Sequence, residues 1–111
     1  MIKAVFYRHG KGKPIYRYSI KGHAGGGFGF KTRALVNFAE IGLRGFNEKQ
    51  AATDHGDGVL LGKSELTVEN TESREARAIT ETLLLGLRMV AAPDPMELQV
   101  VEVIDGAAEE R

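Results

Sequence analysis

Residues 22–31 read Gly-His-Ala-Gly-Gly-Gly-Phe-Gly-Phe-Lys, and five of these ten residues are glycine. Glycine loses the most backbone freedom on ordering, so this density argues against a regular element and predicts a mobile loop over Ala24–Phe30. The segment divides two kinds of periodicity. Before it, Ile2, Ala4 and Phe6 alternate with Lys3, Val5 and Tyr7, the period of a strand. Tyr16, Tyr18 and Ile20 alternate in the same way with Arg17, Ser19 and Lys21. Residues 9–14 between the two runs are turn material, so residues 2–21 predict a hairpin with a longish loop.

Beyond the glycines the spacing becomes helical. Leu35, Phe38, Ala39, Gly42 and Phe46 share one face, with Thr32 as a plausible N-cap. Residues 47–58 are polar and turn-rich, with a weak strand around 49–53. Residues 59–68 read as a strand, with Ser64, Leu66 and Val68 opposite Glu65, Thr67 and Glu69. Asn70 or Thr71 caps a second helix whose Ala76, Ile79, Leu83, Leu87 and Val90 step by three and four, and Pro93 and Pro95 end it. Met96–Ile104 is a last strand, and residues 105–111 are a polar tail. The expected architecture is a single small α/β (α+β) domain over 1–111, in the order β-β-α-(β)β-α-β. Two helices cover an antiparallel or mixed sheet of four to five strands.

The chain has 111 residues, zero formal net charge and no cysteine. Without cysteine there is no disulfide, thiolate metal site or thiol nucleophile. No apolar run approaches the length of a membrane span, so a cytoplasmic protein without membrane contact is expected. The zero net charge conceals segregation. Residues 1–39 hold eight Lys/Arg and no Asp/Glu, whereas residues 40–111 hold all fifteen acids and seven bases. Either the basic third forms an edge suited to RNA or an acidic partner, or the two parts interleave and their charges pair.

Motifs for known chemistry are mostly incomplete. Gly29-Phe30-Lys31-Thr32 carries a phenylalanine where a phosphate-binding loop needs Gly-Lys-Ser/Thr. A metal site would need the scattered His9, His23 and His55 with Asp54 or Asp57, so neither metal nor cofactor is expected. Ser19 and Ser64 lack a nucleophile elbow and read as solvent-facing or cross-strand residues. His23 differs, because it stands between a strand end and a helix start. A base there could activate a nucleophile on the helix's first turn, where the dipole lowers a thiol's pKa.

The start Met1-Ile2-Lys3-Ala4-Val5-Phe6-Tyr7-Arg8, the Gly22-His23-Ala24 triplet after the second strand, and the Glu81-to-Leu87 helix resemble the bacterial ribosomal-processing cysteine proteases. That resemblance spans most of the chain. It implies a cytoplasmic homodimer that trims the N-terminal extension of a large-subunit ribosomal protein. It makes His23 the general base, paired with a cysteine twelve residues later in a Gly-x-Asp-Ile-Val-Cys pattern. It places Gly22, Ala24, Gly25, Gly29, Lys31 and Arg33 around the substrate. This sequence departs at the nucleophile. Aligning Gly29 with the pattern's glycine requires a one-residue deletion and puts the nucleophile position at Ala34. Without the deletion the position is Leu35. Lys31, Thr32 and Arg33 replace Asp, Ile and Val, and Thr32 is a remote substitute nucleophile. Two readings follow: an inactivated protease, or a natural pseudoenzyme that binds a peptide, a ribosomal protein or the ribosome through its basic residues.

Overall fold

The computed structural model describes residues 1–22, 27–46, 51–53, 63–68 and 71–105. Their elements are β1 (Ile2–Arg8), β2 (Ile15–Gly22), α1 (Gly27–Phe46), β3 (Ala51–Thr53), β4 (Lys63–Thr67), α2 (Arg74–Ala91) and β5 (Leu98–Ile104). They form a small α+β domain with two helices and a mixed sheet, ordered β3-β4-β2-β1-β5. The central strand β1 runs antiparallel to β2 and parallel to β5. The expected strand around 49–53 is seen at 51–53, and the one over 59–68 at 63–67; residues 59–62 lie outside the described residues.

Ile2, Ala4 and Phe6 on β1, Tyr18 and Ile20 on β2, and Leu98 on β5 are all fully buried. They join Val36 and Leu43 of α1 and Leu84 and Leu87 of α2 in one core. Both helices therefore cover the same sheet face. The β1 alternation holds, but Tyr16 breaks the pattern on β2. A register shift after Tyr7 sets Arg8 opposite Ile15. Ile15 is then the buried residue (1% exposed), and Tyr16 is displaced to contact Tyr7 and His9. A bulge of this kind re-aims one side chain, and alternation alone does not reveal it.

α1 starts at Gly27, not after Thr32, so Gly27–Phe30 are helical where the glycine content predicted a loop. Most helical stability in proteins comes from packing a face, not from propensity. Here Phe28 packs against the core, and Thr32, Val36, Ala39 and Leu43 continue its stripe. The expected face was rotated as well, since Phe38 is 70% exposed. In α2, Ala76, Leu83 and Leu87 are buried as the spacing predicts. The N-cap is Ser73, not Thr71 or Asn70 (the latter outside the described residues). The Ser73 hydroxyl accepts from the Ala76 N–H at 3.1 Å. The last strand starts at Leu98, leaving Met96 exposed in the preceding turn.

The helices approach closely at two glycines. A Cβ on Gly42 would lie 3.1 Å from Ile79 Cδ1, and one on Gly86 would lie 3.4 Å from Leu35 Cδ1. Gly42 thus leaves room for Ile79 that a Cβ would crowd, whereas a Cβ on Gly86 would only touch Leu35 in ordinary van der Waals contact.

Candidate functional site

The candidate residues cluster where β2 gives way to α1. Gly22 closes β2 with φ +114°, and a Cβ there would sit 2.2 Å from the Met1 carbonyl oxygen. Backbone geometry therefore requires glycine at this position. His23, Ala24 and Gly25 lie outside the described residues. Gly29 is in the first turn of α1; Lys31 is exposed, and Arg33, Ala34 and Leu35 are half-buried.

Because α1 starts at Gly27, Ala34 stands seven residues into the helix, about 10 Å along its axis. It was expected on the first turn. The stabilising field of a helix N-terminus falls off within that turn, so it gives little help to a nucleophile at position 34. The alanine methyl group has no atom able to attack a carbonyl. Thr32 does not replace it, being fully buried with Oγ1 unbonded among the described residues. Ser19, expected to face solvent, is 5% exposed on β2. Ser64 is in register with Ile20 on β4. His55, Asp54 and Asp57 lie outside the described residues, while His9 stacks on Tyr16.

One turn of α1 also borders a groove that the sequence reading missed. Leu35, Phe38 and Ala39 face Ala78, Ile79 and Thr82 of α2 across a cleft of about 290 Å³. Assigning Phe38 to the core hid it. The signal available was that Val36 and Leu43 complete a core stripe with Phe28 and Ala39, which leaves Phe38 on another face.

A charged network lies at the far end of the core. Arg8 is nearly buried, donating to Glu81 Oε1 at 2.7 Å, to Glu102 Oε1 at 3.0 Å and to the Lys13 carbonyl at 2.7 Å. The hydrogen bond from Arg8 holds the Glu81 carboxyl below its usual range, and the two carboxylates raise the guanidinium's pKa. One base of the basic third is thus paired with acids from later in the chain. Nearby, the Tyr16 hydroxyl donates to Asp105, which pushes its pKa up to about 12. The Tyr18 hydroxyl is buried without a hydrogen bond among the described residues, and burial pushes its pKa well up. Among the described residues no group of three His, Asp or Glu side chains is arranged to hold a metal ion.

This arrangement of strand end, helix start and mixed sheet defines a known fold. The chain aligns with the ribosomal processing protease Prp from Staphylococcus aureus bound to a covalently linked product peptide. The TM-score is 0.80 at 16% identity, covering 93% of this chain and all of that one. The same protease with a substrate peptide gives 0.76 at 17% identity, over 93% and 100% of the chains. SMU.848 from Streptococcus mutans gives 0.76 at 22% identity, over 95% and 96%. No family model matches the sequence, and no curated protein matches it. The chain has the Prp-like fold.

Proposed function

We propose that this chain is a pseudoenzyme on the Prp-like fold, one that binds a peptide or ribosomal-protein segment without cutting it. The carrying observation is the alanine at position 34 in a chain with no cysteine. Supporting it, the helix start lies too far from position 34 to activate a nucleophile there, and Thr32 is buried. His23 is the relic general base. Gly22, Ala24, Gly25 and Gly29 are assigned to contact with the bound segment, and Lys31 and Arg33 supply positive charge. The apolar groove beside Leu35 accepts an aliphatic side chain of the bound segment.

The setting of this reading is the cytoplasm, with the ribosome as partner. The chain works as a homodimer, for which the exposed Ile41, Leu85 and Met89 on the helices supply apolar surface. Light scattering at micromolar concentration then gives twice the 12.1 kDa chain mass, and a monomer at all concentrations removes the dimer from the account.

The test of binding is a fluorescent peptide carrying a ribosomal protein's N-terminal extension. It binds saturably and is recovered intact after overnight incubation. Cleavage by the unaltered chain refutes the proposal, as does absence of binding. Ala34→Cys separates the two readings of the sequence: a pseudoenzyme stays inert, whereas an inactivated protease regains cleavage.

A further inference from the structure

The sheet face opposite the helices carries a pattern that the peptide site does not use. Lys3 on β1 lies directly opposite Lys21 on β2, and Lys63 on β4 holds the register position on the far side of Lys21. Gln99 of β5 flanks Lys3 in the same row. Strands lie about 4.8 Å apart, so three lysine positions fall in one line across the sheet. Like charges directly opposite one another destabilise a sheet. Lys3 and Lys21 are exposed, and neither makes an ion pair with a described residue. Among the described residues this face carries two acids, Glu65 in register with Ser19 and Asp105, which accepts from the Tyr16 hydroxyl beside the ring column.

Four residues further along β1, roughly 13 Å at the rise of a strand, the same face turns aromatic. Arg17 lies 4.9 Å over the Tyr7 ring. Tyr7 and Tyr16 meet at 6.2 Å, and His9 stacks on Tyr16 at 3.8 Å with the rings 2° from parallel. His9 is the exposed end of that column. The bulge at Tyr16 creates the column by moving this ring out of the core alternation.

We infer that this sheet face docks single-stranded RNA, with the lysine row on the backbone phosphates and the His9–Tyr16–Tyr7 column stacking bases. Cations that track a backbone, next to flat rings on a sheet, are the two components of sequence-tolerant single-strand binding. An acidic peptide would use the lysines but not the ring column. The surface is separate from the groove at α1, so its fate does not depend on the peptide reading.

The test measures anisotropy of a fluorescent twelve-nucleotide RNA titrated with the full chain at 50 and 200 mM salt. Binding is expected to be saturable and to weaken with salt. Lys3→Gln combined with Lys21→Gln weakens it by about tenfold and flattens the salt dependence. His9→Ala weakens it with the salt dependence unchanged, because stacking is lost and no phosphate contact. Arg74→Gln, a charge removed from the exposed start of α2, changes affinity by less than about twofold. Circular dichroism melts confirm that the variants fold. The inference is overturned if the unaltered chain does not bind at 50 mM salt, if the double lysine variant binds undiminished, or if Arg74→Gln is equally harmful. It is overturned too if poly-glutamate displaces the probe as well as unlabelled RNA does, which would assign the face to an acidic protein.

Discussion

At Tyr18 the ring and the hydroxyl have opposite consequences. The ring is fully buried and meets Phe6 at 5.7 Å, so it contributes core volume. The hydroxyl is buried without a partner among the described residues, and an unsatisfied buried polar group costs stability. Tyr18→Phe is therefore expected to leave stability unchanged or raise it by up to ~1 kcal/mol, read from urea denaturation. A loss of 1 kcal/mol or more would mean the hydroxyl has a favourable contact after all. Gly22 carries a different lesson. A glycine in the Gly22-His23-Ala24 triplet suggests a substrate-facing role, yet its positive φ and the adjacent Met1 carbonyl already account for its identity. Sequence showed that a glycine stood there but not which constraint it answered.

At the scale of elements, the strands of the hairpin and the second helix could be read from periodicity because their buried positions repeat regularly. The start of α1 could not. Glycine propensity pointed to a loop, and Phe28 and Thr32 reach the core only through long-range packing with the sheet and helix. The Tyr16 bulge was hidden for a similar reason, since it depends on pairing with β1. The helix pair itself offers a test. A Cβ at Gly86 meets Leu35 at 3.4 Å, ordinary van der Waals contact. Gly86→Ala should thus stabilise the chain by about 0.5–1 kcal/mol through helix propensity and a less free unfolded chain. A lowered melting temperature would show that α1 and α2 pack too tightly to accept the methyl group.

For the whole molecule, Arg8 joins the two ends of the chain, because its carboxylate partners come from α2 and from the last strand. Folded Glu81 ionises at lower pH than the unfolded residue, whose usual value is 4.5. Its contribution is complete above that value and is lost as pH falls below it. Arg8→Met should cost about 2–3 kcal/mol at pH 7, less than the loss from a fully buried pair because the carboxylates are partly exposed. It should also flatten the loss of stability between pH 5 and 3. An unchanged acid limb in Arg8→Met would remove Glu81 from that role. The same network answers half of the charge question posed by the sequence: Arg8 pairs with late acids, while Lys3 and Lys21 stay exposed on the sheet. The candidate site was legible in part. The motif put the candidate residues between a strand and a helix in the chain, and the depth of Ala34 within that helix came only from the structure.

Whether this fold still performs chemistry is decided by mass spectrometry of the ribosomal-protein extension peptide, incubated with the unaltered chain and with Ala34→Cys. Binding by both proteins with the peptide intact is the predicted result. Cleavage by the unaltered chain would contradict the account outright, and cleavage by Ala34→Cys alone would replace the pseudoenzyme with a protease lacking only its nucleophile.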